Sequence, residues 1–291
     1  MLRFLFWNVQ HGSAAFISTS NERSVIVDLG TGIADEDRLL SPIGTLRANG
    51  YLEEVHLLIL THPHEDHLAD LPSLSGIPIR NLIAPRVLLD LLGQLRANDP
   101  ALVDHYQSLV DSFESNMPFN LGRRPPVDWD GAKITPFSPC CSTTNVNDYS
   151  VVVLFEYGGA KLLLTGDNEE ASWRSLLEDK QFRKAIAGVD IFVASHHGRS
   201  SGFHSPLFDV MHPKLTIISD GPCQETSITE TYTNVSSGMT VDLAGMKQKR
   251  KCITTRTDGS ILVEFHDGLF SSIKVKTQYP LARTERKLRV L

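Results

Sequence analysis

Seven residues, Thr61-His62-Pro63-His64-Glu65-Asp66-His67, constrain this chain more than any other stretch, because they set three imidazoles and two carboxylates directly after the apolar run Val55 to Leu60. That run, VHLLIL, is too short for a typical helix and rich in strand formers, so it reads as a buried strand opening into a loop. Ligands at the end of a strand are held rigidly. Folding so many ionisable groups together is expensive without a counter-ion or water. Neutral imidazole and carboxylate are ligands preferred by zinc, manganese and iron. With a distant partner added, the five groups exceed what one tetrahedral ion takes, and the spacing predicts two divalent metal ions.

The remaining composition is that of an ordinary soluble globular protein. A length of 291 residues is enough to bury a substantial core, and 41% apolar with 21% charged residues excludes a disordered chain. No apolar run approaches the roughly 20 residues needed to cross a bilayer. Met1 to Asn8 reads as a first strand and not as a signal peptide, since Asn8, Gln10 and His11 interrupt the apolar segment and no small-residue cleavage site follows. A cytoplasmic location is the expectation. Cys140, Cys141, Cys223 and Cys252 form neither a zinc ribbon nor a secreted disulfide framework and read as reduced packing thiols. The net charge of -6 means that a polyanionic partner must be drawn by metals and local basic clusters. Lys247 to Lys251 and Arg283 to Arg289 are two such clusters, read as solvated faces or phosphate contacts.

Along the chain, Leu2 to Val9, Ala14 to Thr19 and Ser24 to Leu29 read as an antiparallel meander. A helix is expected over Pro42 to Ala48, another from Asp66 to Leu71, and a short strand over Asn81 to Ala84. Helical apolar spacing through Arg86 to Arg96 and Ala101 to Ser115, carried by Leu88, Leu91, Leu92, Leu95, Leu102, Tyr106, Leu109 and Phe113, predicts an inserted or covering layer near 86–118. Strands follow at Lys133 to Pro136, Ser150 to Tyr157 and Lys161 to Thr165, the last two joined by Gly158-Gly159 as a hairpin. Glu169 to Glu178 reads as a helix. The strand Asp190 to Ala194 ends at Ser195-His196-His197-Gly198, and Lys214 to Ser219 is a further strand. Cys252 to Arg256, Ser260 to Phe265 and Phe270 to Lys276 are expected to close the chain as a meander through Asp258-Gly259 and Asp267-Gly268. No low-complexity linker or short repeat appears. The fold class is α/β, an αββα arrangement in one domain over 1–291.

Three distant groups thus stand at strand ends: His62, His64, Asp66 and His67; Asp167 after LLLTG; and His196 and His197 after DIFVA. Together they resemble the metallo-β-lactamase superfamily. More narrowly, Asn8 to Ala14 (NVQHGSA), Asp28-Leu29-Gly30, THPHEDH, Asn147-Asp148-Tyr149-Ser150, LLLTGD and SHHG resemble, in that order, the metallohydrolase domain of the ComEC family of DNA-uptake proteins, without that family's membrane channel. The resemblance implies an αββα sandwich holding one or two metals at a sheet edge. It implies His62 and His64 on the first metal, Asp66 and His67 on the second, Asp167 bridging, and a histidine of SHHG on the second metal. His196 is slightly preferred over His197 there. Two neighbours leaving a strand point in opposite directions, so the other faces a substrate phosphate or a supporting partner. Asp28 would hold a ligand histidine by its free ring nitrogen.

The chain departs from the pattern in two respects: Asn8 and Ser13 stand where the family resemblance expects acidic residues near the first strand, so those roles do not transfer, and a histidine is missing. His105 falls in an expected helix and no histidine occurs from Asp111 to Gly166, so the third imidazole of the first site is missing. The first metal would then be water-rich or weakly held, a shift toward oxygen ligands that places manganese beside zinc as the expected metal. His11 has no assigned role.

A metal lowers the pKa of bound water from 15.7 to about 7, so a metal-bridged hydroxide attacking phosphorus is the expected chemistry, with Asp66 orienting it. Ser150, Ser200 and Ser201 offer hydroxyls, Gly198 and Gly202 allow close backbone approach, and Arg199 suits a bidentate phosphate clamp. The leading expectation is a phosphodiesterase or nuclease acting on nucleic acid or a nucleotide. Hydrolysis of esters, thioesters, lactones or lactams is the alternative. A third reading is a sensor or scaffold that binds a nucleotide or protein partner in a phage-defence system.

Overall fold

Alternate residues of each strand serve different layers, and this period of two builds the molecule. The computed structural model describes residues 1–33, 39–85, 87, 89–120, 126–141, 143–221, 226–267 and 272–277, with residues 89 and 114–120 by backbone only. Leu88, Cys223, Gly268, Phe270 and the Arg283 to Arg289 cluster lie outside the described residues.

In chain order the strands are β1 (Leu2–Phe6), β2 (Ala14–Thr19), β3 (Ser24–Leu29), β4 (Gly32–Ile33), β5 (Leu39–Leu40), β6 (Leu57–Ile59), β7 (Leu82–Ile83), β8 (Lys133–Phe137), β9 (Val152–Tyr157), β10 (Ala160–Leu164), β11 (Ile191–Val193), β12 (Leu215–Ile218), β13 (Met239–Leu243), β14 (Met246–Arg250), β15 (Cys252–Thr254), β16 (Ile261–His266) and β17 (Ser272–Thr277). The helices are α1 (Pro42–Ala48), α2 (Glu65–Leu68), α3 (Leu89–Asn98), α4 (Pro100–Asn120), α5 (Glu170–Glu178), α6 (Lys180–Ile186), α7 (Pro206–Val210), α8 (Thr229–Val235) and α9 (Thr255–Asp258). One sheet has the order β14-β13-β17-β16-β1-β2-β3-β6-β7 and the other β15-β12-β11-β10-β9-β8, with β4 and β5 paired apart.

Phe4, Ile17, Val27, Ile59 and Val263 of the first sheet meet Val153, Phe155, Leu162, Ile191 and Ile217 of the second. The intervening residues turn outward. Leu5, Phe16, Ile26 and Leu58 lie under α1, α2, α3 and α4 through Ile43, Leu46, Leu68, Leu92, Leu102 and Tyr106. Val152, Leu154, Leu163 and Phe192 lie under Trp173, Leu176, Phe182, Ile186, Phe208 and Tyr232 on α5, α6, α7 and α8. The layers are helix, sheet, sheet, helix, the expected αββα arrangement.

Local chemistry sets the helix starts. Ser41 caps α1 by accepting from the Gly44 amide, with Pro42 at the first helical position. Glu169 and Ser172 form a reciprocal capping box on α5. Pairing of β6 with β3, and of β11 with β10 and β12, is parallel. Parallel pairing brings the carboxyl ends of neighbouring strands to one edge, where the loops carrying the ionisable residues emerge.

Two expected elements take another form. Cys252 to Arg256 does not join a closing meander: β15 pairs in parallel with β12 in the second sheet, and α9 turns the chain back to β16 in the first. The basic Lys247 to Lys251 stretch lies mostly on β14, an exposed edge strand hairpinned to β13. The helix expected from Asp66 to Leu71 is two short turns, α2 and a 3-10 turn at Leu71–Leu74.

Phe155 is fully buried between the sheets, with its ring centroid 5.3 Å from that of Phe4 in an edge-on contact. Phe155→Ala leaves a cavity that neither sheet can close, and the expected loss is about 3–5 kcal/mol of unfolding free energy by denaturant titration. A loss below about 1 kcal/mol would place the ring outside a tightly packed core.

Candidate metal centre

The centre is organised from Asp28 outward. At the end of β3, Asp28 takes φ 58°, a left-handed conformation that costs a non-glycine residue on the order of 1–3 kcal/mol. The turn aims its buried carboxylate at the end of the β6 segment. Oδ1 accepts from the Thr61 amide at 2.8 Å, and Oδ2 accepts from the Thr61 hydroxyl at 2.9 Å and from His67 Nδ1–H at 2.8 Å. His67 is thereby fixed as the tautomer whose Nε2 is directed inward, 3.2 Å from Asp167 Oδ1 and 3.3 Å from His197 Nε2.

His197 is oriented in the same way from the other sheet. Its Nδ1–H donates to the Ser219 carbonyl at 3.0 Å, leaving Nε2 3.1 Å from Asp66 Oδ2 and 3.4 Å from Asp167 Oδ2. Asp66, His67, Asp167 and His197 bring one ligand atom each to within 4.8 Å of one another. Ligand atoms bonded at about 2.0–2.2 Å around one ion fall in such a span. His62, fully buried, places Nε2 3.0 Å from His64 Nδ1 and 3.8 Å from Asp167 Oδ2. Asp167 therefore stands between two groups of donors. The residues suit divalent cations: imidazoles and carboxylates converge, and the outward nitrogens of His62, His67 and His197 meet Thr61 Oγ1, the Asp28 carboxylate and the Ser219 carbonyl.

Two glycines allow the approach. Gly166 at φ 57° has no room for a Cβ, which would lie 2.7 Å from Thr61 Cβ, and its turn delivers Asp167. Gly12 at φ 132° packs its α-carbon against the Asp66 carbonyl, where a Cβ would sit at 2.5 Å. The neighbouring Ser13 amide donates to that same carbonyl at 3.1 Å.

The other residues singled out in the sequence take different places. Ser150 is fully buried and accepts from the Asp167 amide at 3.0 Å, so it braces Asp167 from behind and offers no hydroxyl to the cavity. His196 lies beside the four-residue group, with Nε2 3.9 Å from Asp167 Oδ2 and Nδ1 2.9 Å from both Glu169 Oε1 and Ser201 Oγ. His197, and not the slightly preferred His196, is the imidazole that converges with Asp66, His67 and Asp167. Arg199 lines the cavity with Nη1 3.4 Å from His196 Nε2, and its buried Nε has no partner among the described residues. His11, half exposed, places Nε2 3.6 Å from Asp66 Oδ2. Cys140 and Cys141 line a separate cleft beside Tyr149. Sequence reasoning missed Glu169 and Thr61 as supports. Glu169 follows Asp167 by two positions, a spacing that was legible but indistinguishable from a helix cap.

The cavity encloses about 530 Å³ and is lined by His11, His64, Asp66, Asn147, Asp167, His196, His197 and Arg199 among others. Burial lowers the His197 imidazole, but the Asp167 carboxylate and its hydrogen bond outweigh this and lift it to about 9. His67 is likewise lowered by burial and raised further by Asp167, Asp28 and Asp66, ending well above the usual histidine range. Burial pushes Asp167 and Asp66 up, and the surrounding imidazoles overturn this, holding both below the ordinary carboxylate value. His62 and His64 lack enough compensation, and burial lowers both. Protons on His67 and His197 therefore do in this cluster what cations can do.

No curated protein matches the sequence. Among solved structures, similarity extends to zinc-bound PqqB from Methylobacterium extorquens at 15% identity over 72% of this chain and 76% of that one, with a TM-score of 0.39. It extends to CmlA, a diiron beta-hydroxylase from Streptomyces venezuelae, at 14% identity over 75% and 44% of the two chains and a TM-score of 0.44. Unliganded yeast PDE1 is similar at 13% identity over 76% and 89%, with a TM-score of 0.40. Residues 7–140 match the family described as the metallo-beta-lactamase superfamily, a span that takes in the Gly12 loop, Asp28 and the whole Thr61 to His67 cluster. The match covers a little under half of the chain, and the helix–sheet–sheet–helix layers are consistent with the metallo-β-lactamase fold.

Proposed function

We propose that the protein is a metal-dependent phosphodiesterase whose substrates are nucleic acids or nucleotides. The observation that carries this reading is the wall of the cavity. Arg199, with a buried Nε that no described residue satisfies, faces the same space as the His and Asp donors. A guanidinium on the cavity wall supplies the paired donors that suit a phosphate.

In this reading His62, His64 and Asp167 hold a first divalent cation, and Asp66, His67, Asp167 and His197 hold a second. When bound, two cations supply Lewis acidity and a water acidic enough to ionise near neutral pH. The chain's own groups do the rest. Asp28 and the Ser219 carbonyl keep the His67 and His197 rings in the ligating tautomer. Asp66, a quarter exposed at its side chain, is the carboxylate on the solvent side and is placed to orient a nucleophile. Arg199 draws the anionic diester into a molecule whose net charge of -6 would otherwise repel it. Hydrolysis of a carboxylic ester or lactone would need the same cations but no guanidinium, which makes Arg199 the discriminating residue.

Chelator-treated and metal-reloaded protein should cleave at least one of single-stranded DNA, double-stranded DNA, RNA or a cyclic nucleotide faster than a chromogenic lactam or lactone. His64→Ala should abolish that turnover. Arg199→Ala should reduce kcat/KM on the diester by about 10- to 100-fold, the worth of one charged hydrogen-bonded contact, and leave any ester turnover nearly unchanged. Equal losses on both substrate classes would remove the phosphate role of Arg199, and no cleavage of any diester would end the reading.

Cation uptake should also be linked to pH. Carboxylates raise the His197 imidazole to about 9 and hold His67 well above the usual histidine range, so a cation competes with protons at both rings. Affinity should therefore rise from pH 6 towards pH 9. Calorimetry in buffers of different ionisation enthalpy should register net proton release at pH 7.5. Affinity that is flat or falls over that interval would contradict the assigned charge states.

Asp28→Asn removes the negative charge that fixes and polarises His67 while leaving the side chain's volume. The expected result is a loss of about 10- to 100-fold in cation affinity, measured by competition with a chelating dye. An unchanged affinity would show that the strand end alone positions His67.

A further inference from the structure

Asn147 begins the Asn-Asp-Tyr-Ser motif, and neither phosphate contact nor the donors assigned above account for it. It lies in the short turn Val146–Tyr149 ahead of β9, is 7% exposed, and lines the same cavity as His64, Asp167 and His196. Chemistry fixes the orientation of its amide. Nδ2 donates to Glu169 Oε1 at 3.0 Å, and an ionised carboxylate can only accept. Oδ1 is therefore the other end of the amide, a buried acceptor that meets no donor among the described residues. Such an atom is costly to leave unpaired. Glu169 Oε1 also takes His196 Nδ1 at 2.9 Å, so one carboxylate holds two side chains on the cavity wall.

The first cation position has lone pairs from His62 Nε2 and His64 Nδ1, 3.0 Å apart, and Asp167 Oδ2, 3.8 Å from His62 Nε2. No histidine between Asp111 and Gly166 can add a third imidazole. We propose that Asn147 Oδ1 is the missing protein ligand of the first cation, an amide oxygen in place of an imidazole; this rests on the two-cation reading above. An oxygen donor shifts the site away from the nitrogen-rich sets that suit zinc and towards manganese. It also makes the first position the weaker of the two, because a neutral amide gives up less charge than the carboxylates around His67 and His197.

The test is calorimetry of the full chain with manganese alone, after chelator treatment. Wild type should bind two equivalents of unequal affinity. Asn147→Ala should keep the tighter equivalent and weaken the other by at least about 10-fold. Asn147→Asp, which keeps an oxygen at the same reach but loses the Nδ2 donation to Glu169, should bind the weaker equivalent more tightly than Asn147→Ala does. Two unchanged equivalents in Asn147→Ala overturn the assignment, as does weakening in both variants alike, which would mean that Nδ2 acts through Glu169 as scaffold. Loss of both equivalents together in Asn147→Ala, with a lowered melting temperature in the absence of metal, overturns it for the same reason. A wild-type chain that binds one equivalent or none overturns the two-cation reading itself.

Discussion

Carboxylates buried against imidazoles are the constraint around which this molecule is arranged. Asp28 and Asp167 are 1% and 3% exposed, and Asp66 meets the same imidazoles from the cavity side. Removing a carboxylate from water costs several kcal/mol on balance unless close partners return the energy. Asp28 is returned it by Thr61 and His67. Asp167 has no such fixed set; its oxygens face His62, His67 and His197, whose charge depends on how many protons or cations they share. The fold is stable around an electrostatic demand that mobile charge must meet.

Strain concentrates at the same place. Asp28, His196 and His197 all adopt positive φ without being glycine, at 58°, 49° and 53°. Each such residue costs on the order of 1–3 kcal/mol and persists only where the surroundings over-determine it. Here they do: β3 and β11 are wholly buried strands whose inward faces join the core between the sheets, so the chain cannot relax backward. Forward, the Ser219 carbonyl and the Asp28 carboxylate hold the rings. The apolar sandwich thus supplies the rigidity that keeps polar groups in unfavourable backbone conformations at its edge.

Much of this was legible in the sequence where the signal is local. Pro42 to Ala48 follows from Ser41 as cap and Pro42 at the first turn, and both lie within a few residues. Strands β2 and β3 follow from apolar runs with polar ends. What was hidden depends on partners distant in the chain. Cys252–Thr254 has the composition of a meander strand, and only its pairing with β12, set by the α9 turn and by Gly259 at φ 72°, assigns it to the other sheet. The placement of His196 and His197 was hidden for a different reason. Alternation across a strand applies to extended backbone, and both residues are left-handed. Ser150 looked like a cavity hydroxyl because a strand start leaves its facing ambiguous; burial behind Asp167 decides it.

The two donor groups that share Asp167 are unequal, and the inequality follows from the same electrostatics. Around His67 and His197, carboxylates outweigh the cost of burial and raise both imidazoles, so this pocket holds positive charge whether as proton or cation. Around His62 and His64, burial prevails and favours the uncharged form of both rings. A cation arriving at the first group displaces no proton but meets little negative charge; one arriving at the second must displace protons but meets more carboxylate. In the proposed centre the second position is therefore the anchored one. The first is more easily altered by what binds beside it, and His64, its more exposed imidazole, lines the cavity together with Arg199.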